Sequence, residues 1–159
     1  MINVAVILFL SLISQDNPKQ DVAPEQVALD FFLTEIFQNK YPLAKRIFVS
    51  DSTLTERSST RPVRECVMKS GSDFYKIFPS LDRTDTNSIK LSVKNLTGIK
   101  FLKHSKKRKF IIQVNGSVRY QHSDYVDVTV YLIDSFVDHY LIKVQDEKAI
   151  DYCYVNELI

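Results

Sequence analysis

Glycine is scarce in this chain, with three in 159 residues, and tryptophan is absent. Three scattered glycines leave no place for a Gly-rich phosphate cradle or for a Gly-x-Ser-x-Gly nucleophile turn. His104, His122 and His139 form no His-Glu-x-x-His motif, the two cysteines form no Cys-x-x-Cys pair, and no carboxylate-rich calcium loop occurs. The residues therefore call for no metal site and no cofactor. No charge of one sign dominates either, since the net charge is only +2. Lys100, Lys103, Lys106, Lys107, Arg108 and Lys109 contribute +6, which leaves −4 for the rest of the chain. Such a run can mark an anion-binding patch. Here Phe101 and Phe110 are its only aromatic company, so it reads as a solvated hairpin loop, and nucleic acid is not an expected partner.

Long apolar runs are also missing. Val4 to Ile13 is too short to cross a bilayer as a helix and fits the hydrophobic region of a bacterial-type signal peptide. Residues 1–14 are read as that signal, with cleavage after Ser14, although no Lys or Arg precedes the run. Residues 15–23 then form a flexible tail and 24–159 a single domain. The expected location is outside the cytoplasm, periplasmic or secreted, with no stable membrane span after cleavage.

From Glu25 to Asn39, a turn of about 100° per residue gathers Leu29, Phe32, Leu33, Ile36 and Phe37 into one apolar stripe. Pro24 suits the first position of such a helix, because the amide it lacks would have gone unbonded there. A second short helix is expected from Pro42 to about Phe48. Two more short helices are expected within residues 62–78, the second capped by Ser72. Ile89, Leu91 and Val93 begin strand alternation, and Asn95-Leu96-Thr97-Gly98 bends the chain before Ile99 and Phe101.

The most regular region follows Lys109. Phe110, Ile112, Val114, Val118, Tyr120, Val126, Val128, Val130, Leu132, Tyr140, Ile142, Val144, Ile150, Tyr152 and Tyr154 are all even-numbered. Period-two alternation places them on one face of an antiparallel meander. Three-residue loops at 122–124, 134–136 and 146–148 would keep that face in register. They would also align Arg119, Asp127, Lys143 and Asp151 as alternating charges on the odd face, read as a solvated outer surface. Tyr131, His139, Leu141 and Val155 share that face and suggest a partner or homodimer surface.

Asp138 interrupts the even face. In apolar surroundings it could act as a general base, with His122 or a tyrosine as its helper. Tyr120, Tyr140, Tyr152, Phe32 and Ile36 are the candidate lining of a ligand pocket. Export would permit a Cys66–Cys153 disulfide. The register counts against it, because Cys153 lies on the odd face while helical Cys66 is expected over the even one. Asn95-Leu96-Thr97 and Asn115-Gly116-Ser117 match the N-glycosylation pattern.

The order of a long amphipathic helix, a short helix after the Tyr41-Pro42 step, a further helix and a closing meander resembles the nuclear transport factor 2-like superfamily and, more broadly, the cystatin-like folds. The closing run Tyr140-Leu-Ile-Lys-Val-Gln-Asp-Glu-Lys-Ala-Ile-Asp-Tyr is similar to the last hairpin of small exported bacterial proteins of this type. The resemblance covers about residues 24–156. It implies an α+β domain whose N-terminal helices pack on a curved antiparallel sheet, giving a cone with a pocket at its open end. The acid–base Asp/His pair of such enzymes is not carried over, since Asp138 and His122 stand in no matching motif. The expectation is a non-catalytic exported domain that binds a small apolar ligand or a protein partner. The alternatives are a small lyase or isomerase using Asp138, and an envelope structural homodimer.

Overall fold

Pro24 opens the helix, as its missing amide suits. In the computed structural model, which describes residues 22–53, 65–66, 88–94, 96–102, 110–120, 122–132 and 136–158, α1 (Pro24–Phe31) runs into a π-wound stretch (Phe32–Phe37) and a last turn (Gln38–Lys40). The three form one continuous helix. Its stripe is the expected one: Leu29, Phe32, Leu33, Ile36 and Phe37 are all buried, together with Ala28. Within the wider turn, the Thr34 hydroxyl donates to the Asp30 carbonyl at 3.0 Å and the Asn39 amide to the Glu35 carbonyl at 2.7 Å.

Among the described residues seven strands follow: β1 (Arg46–Val49), β2 (Lys100–Phe101), β3 (Phe110–Val114), β4 (Val118–Tyr120), β5 (Ser123–Leu132), β6 (Phe136–Gln145) and β7 (Lys148–Leu158). They form one open sheet in the order β2-β1-β3-β5-β6-β7, with β4 also paired to β5. The protein is therefore α+β. The sheet is mixed rather than purely antiparallel, because β1 lies parallel to both β2 and β3.

The helix expected over Pro42–Phe48 is instead a turn and a strand. Pro42 biases Tyr41 away from helical backbone, and Ile47-Phe48-Val49 is a β-branched and aromatic run suited to a pleated surface. Ile47 and Val49 are buried while Arg46 is exposed, as strand alternation requires. Of residues 62–78 only Glu65 and Cys66 are described, and both are helical. The Ser72 cap, the signal segment 1–14, most of the tail and nearly all of the basic run lie outside the described residues. Near Ile89 the chain makes a single bridge, Ser52 to Lys90, rather than a ladder. The expected bend falls at Gly98, whose φ of 79° is a conformation that only glycine adopts without strain.

The even face is the core. Ile112, Val114, Val126, Val128, Val130, Tyr140, Ile142 and Val144 are buried in one cluster with the helix stripe. Parity survives in three ladders. β3 meets β5 through Ile112–Val130, β5 meets β6 through Val128–Tyr140, and β6 meets β7 through Tyr140–Tyr154.

The finer register differs from expectation. Asp127 lies opposite Leu141, not Lys143, a slip of two that preserves the face. Arg119 lies opposite Asp124, not Asp127, because the chain breaks at Asn115–Ser117 and changes parity. The β6–β7 turn has two residues, Asp146 and Glu147, both with positive φ (49° and 58°), as the tight hairpin turn demands. A bulge at Lys143/Val144 restores the Lys143–Asp151 pair. Of the anticipated charge row, that pair alone forms.

The odd face is not a solvated surface. Asp127, Thr129, His139, Leu141 and Val155 are all buried. Cys66 sits on this face with Leu141 and Val155 in a second, smaller apolar cluster, flanked by Val118, Tyr125 and Cys153. Val118 reaches it because of the parity change. A disulfide joins Cys66 to Cys153, with 5.7 Å between the Cα atoms, so the objection from face falls away. Closing a separation of 87 residues is worth about 4–5 kcal/mol in the chain-entropy model.

Candidate functional site

Asp138 starts the polar part of the even face, and three donors from two elements converge on its carboxylate. From the end of the helix, the Tyr41 hydroxyl donates to Oδ2. From β7, the Tyr154 hydroxyl and the Asn156 amide donate to Oδ1 at 2.8 Å and 2.7 Å. Because the Tyr41 proton is committed to Asp138, the 2.9 Å contact between the Tyr41 and Tyr140 hydroxyls has Tyr140 as donor. The result is a relay from Tyr140 to Tyr41 to Asp138, in which each bond polarises the next. The Lys40 ammonium sits 4.4 Å above the Tyr154 ring centroid, where the ring quadrupole attracts it.

These phenols are held neutral. Burial, then the bond to Asp138, pushes the Tyr154 hydroxyl up to about 12. Burial raises Tyr41 and Tyr140 well above the ordinary phenol value; at Tyr41 the bonds to Asp138 and Tyr140 act in the same direction. They remain donors at neutral pH, and the carboxylate keeps all three of its bonds.

The arrangement bears directly on chemistry. A general base must offer a free lone pair within reach of the proton it takes. Oδ1 of Asp138 already accepts two donors and Oδ2 one, which leaves a single acceptor site, and a buried carboxylate stripped of these bonds would cost several kcal/mol. Its geometry suits a clamp joining the helix terminus to β6 and β7.

The sequence-derived candidates separate in space. His122 lies in the turn before β5, whereas Asp138 pairs with Val130, eight residues further along the chain or roughly 26 Å of strand. The structure does not bring the two together. The Tyr120 backbone pairs with Ser123, at that same distant end. Phe32, Ile36 and Tyr140 are buried in the core, with the Phe32 and Tyr140 ring centroids 4.9 Å apart. They fill the interior. Tyr152 is the exception: it is 48% exposed on the flank of the helix, its ring 6.1 Å from that of Phe31.

Sequence reasoning missed a second polar group, on the odd face. Asn115 donates to Asp127 Oδ2 at 2.9 Å and to the Thr129 hydroxyl at 3.2 Å. His139 Nδ1 lies 3.4 Å from Asp127, and its Nε2 lies 3.5 Å from Glu157. The cue was present in the run Asp127-Val-Thr129, two polar residues on one face of an otherwise apolar strand. On the sequence alone that face reads as solvated. The buried, committed amide of Asn115 also leaves its glycosylation match without a free acceptor in the folded chain.

The apolar surface gathers on β6 and β7. Ile150 is 51% exposed beside Tyr152, and at the other end Phe136 and Leu158, which pair directly, are 42% and 70% exposed. Comparison with protein-family models, curated proteins and solved structures finds no match. Among the described residues no helix is long and apolar enough to cross a membrane.

Proposed function

We propose that this protein is an exported, non-catalytic binding domain that receives a protein partner on the even-face flank of β7. The observation that carries this reading is the half-exposure of Tyr152 beside Phe31, with the half-exposed Ile150 two residues before it on the same strand. Aromatic side chains at a patch of this kind are the usual anchors of protein association. Phe32, Ile36 and Tyr140, three of the five residues suggested as a small-ligand lining, are spent on the core, which favours the protein arm of the expectation over the ligand arm. Strand addition along the edge is less favoured than side-chain docking. The Asp151 carboxylate accepts the Tyr152 backbone amide at 2.8 Å, and charged side chains on an edge discourage pairing. Export is supported by the Cys66–Cys153 disulfide, a bond that persists in oxidising compartments.

The test is a photo-crosslinking amino acid at position 150 in the producing cell, with position 45, just before β1 toward the far edge of the sheet, as control. A discrete adduct from position 150 that disappears with Tyr152→Asp is the expected result. Equal adducts from both positions, or none from 150, would refute the proposal. An adduct of twice the chain mass would assign the flank to a homodimer instead.

A further inference from the structure

Asn115-Gly116 is the one Asn–Gly step in the chain. It is the most labile dipeptide for deamidation, because a following residue without a side chain leaves its backbone nitrogen free to approach the Asn amide carbon. The fold places this step at the break between β3 and β4 and pins it there. The Asn115 backbone amide donates to the Asp127 carbonyl at 2.9 Å, and its side-chain amide is bonded to Asp127 and Thr129. Its side chain thus points across to β5, away from its own following peptide.

We propose that Asn115 is a deamidation site gated by folding, and that its modification is a one-way exit from the native state. When the β3–β5 junction opens, the Gly116 nitrogen loses its proton to solvent and attacks Asn115 Cγ. The N–Cγ bond forms, the Cγ–Nδ2 bond breaks, and the side-chain nitrogen leaves as ammonia with protons from water. Water then opens the succinimide at either carbonyl, giving an aspartyl or isoaspartyl residue at position 115. Either product puts an acceptor oxygen where a donor faced the Asp127 carboxylate, which opposes like groups in a buried space. The isoaspartyl form also adds a carbon to the backbone. That disturbs the parity change that delivers Val118 to the Cys66 cluster.

Incubating the intact disulfide-bonded protein in mildly alkaline buffer, with and without urea, tests this by the one-dalton gain and isoaspartate content of the peptide containing residue 115. The gain is expected to be at least about tenfold faster in urea, since reaction in the native state must await local opening. After removal of urea, modified chains should collect in the non-native fraction on size-exclusion chromatography. Gly116→Ala should slow the reaction in urea. Asn115→Asp, which makes one product directly, should lower the unfolding midpoint or yield no native chain. Equal rates with and without urea, modified chains that return to the native fraction, or a wild-type midpoint for Asn115→Asp would each overturn the proposal.

Discussion

The two faces of the sheet are built on different principles. Apart from Asp138 the even face is an apolar layer roofed by one helix, and it relies on burial, which has no direction and tolerates slips of two residues. The odd face holds a small apolar cluster, a set of side-chain hydrogen bonds and a disulfide. Each of those needs a particular partner in a particular place. Stability is thus spread over many residues on one side and concentrated in a few on the other.

The largest test of that contrast is Phe32→Ala. Phe32 is fully buried, with rings of Phe37 and Tyr140 at 5.9 and 4.9 Å, so its removal should cost about 3–5 kcal/mol. Urea unfolding followed by fluorescence and by circular dichroism should show the same loss with both probes, because the even face belongs to the whole domain. A loss confined to one probe would mean that the helix and sheet do not share a core.

The disulfide comes next. Replacing Cys66 and Cys153 together by serine should cost about 2–4 kcal/mol, and the damage should be local first. Amide exchange is the measurement. Leu141, His139 and Val155 should lose protection before Val128 and Ile142 do. Uniform loss across both faces would break the comparison.

The division also explains what could be read from the chain. The helix stripe and the even face were legible because each rests on a period, 3.6 or 2, repeated many times, so an error at one residue is outvoted. β1 was not legible. Its four residues follow a proline and pair in parallel with strands more than fifty positions away, information that no local pattern contains. The odd-face pairing was lost for a related reason. Asp127 looked like one member of a charge row, and the choice between Lys143 and Leu141 as its neighbour depends on loop geometry, not on composition. Asp138 was recognised as an interruption of the apolar face. Its partners Tyr41 and Asn156 come from the helix terminus and from the far part of β7, and only the assembled fold brings them within reach.

The Asp138 cluster is the place where the even face borrows the logic of the odd one, so it sharpens the comparison at smaller cost. Tyr154→Phe removes one donor to the carboxylate while keeping the ring under Lys40. A hydrogen bond to a charged group is worth about 1.5–3 kcal/mol, and the exposure of Tyr154 places the loss toward the lower end. A pH dependence accompanies it. The Tyr154 hydroxyl ionises near 10 in the unfolded chain and at about 12 in the folded one. Its contribution is therefore complete below pH 10 and is lost as pH rises through about 12. Unfolding midpoints measured at rising alkaline pH should fall in the wild type, and less steeply in Tyr154→Phe. Equal slopes would mean that the carboxylate does not depend on this phenol, and that the polar interruption of the even face is held by Tyr41 and Asn156 alone.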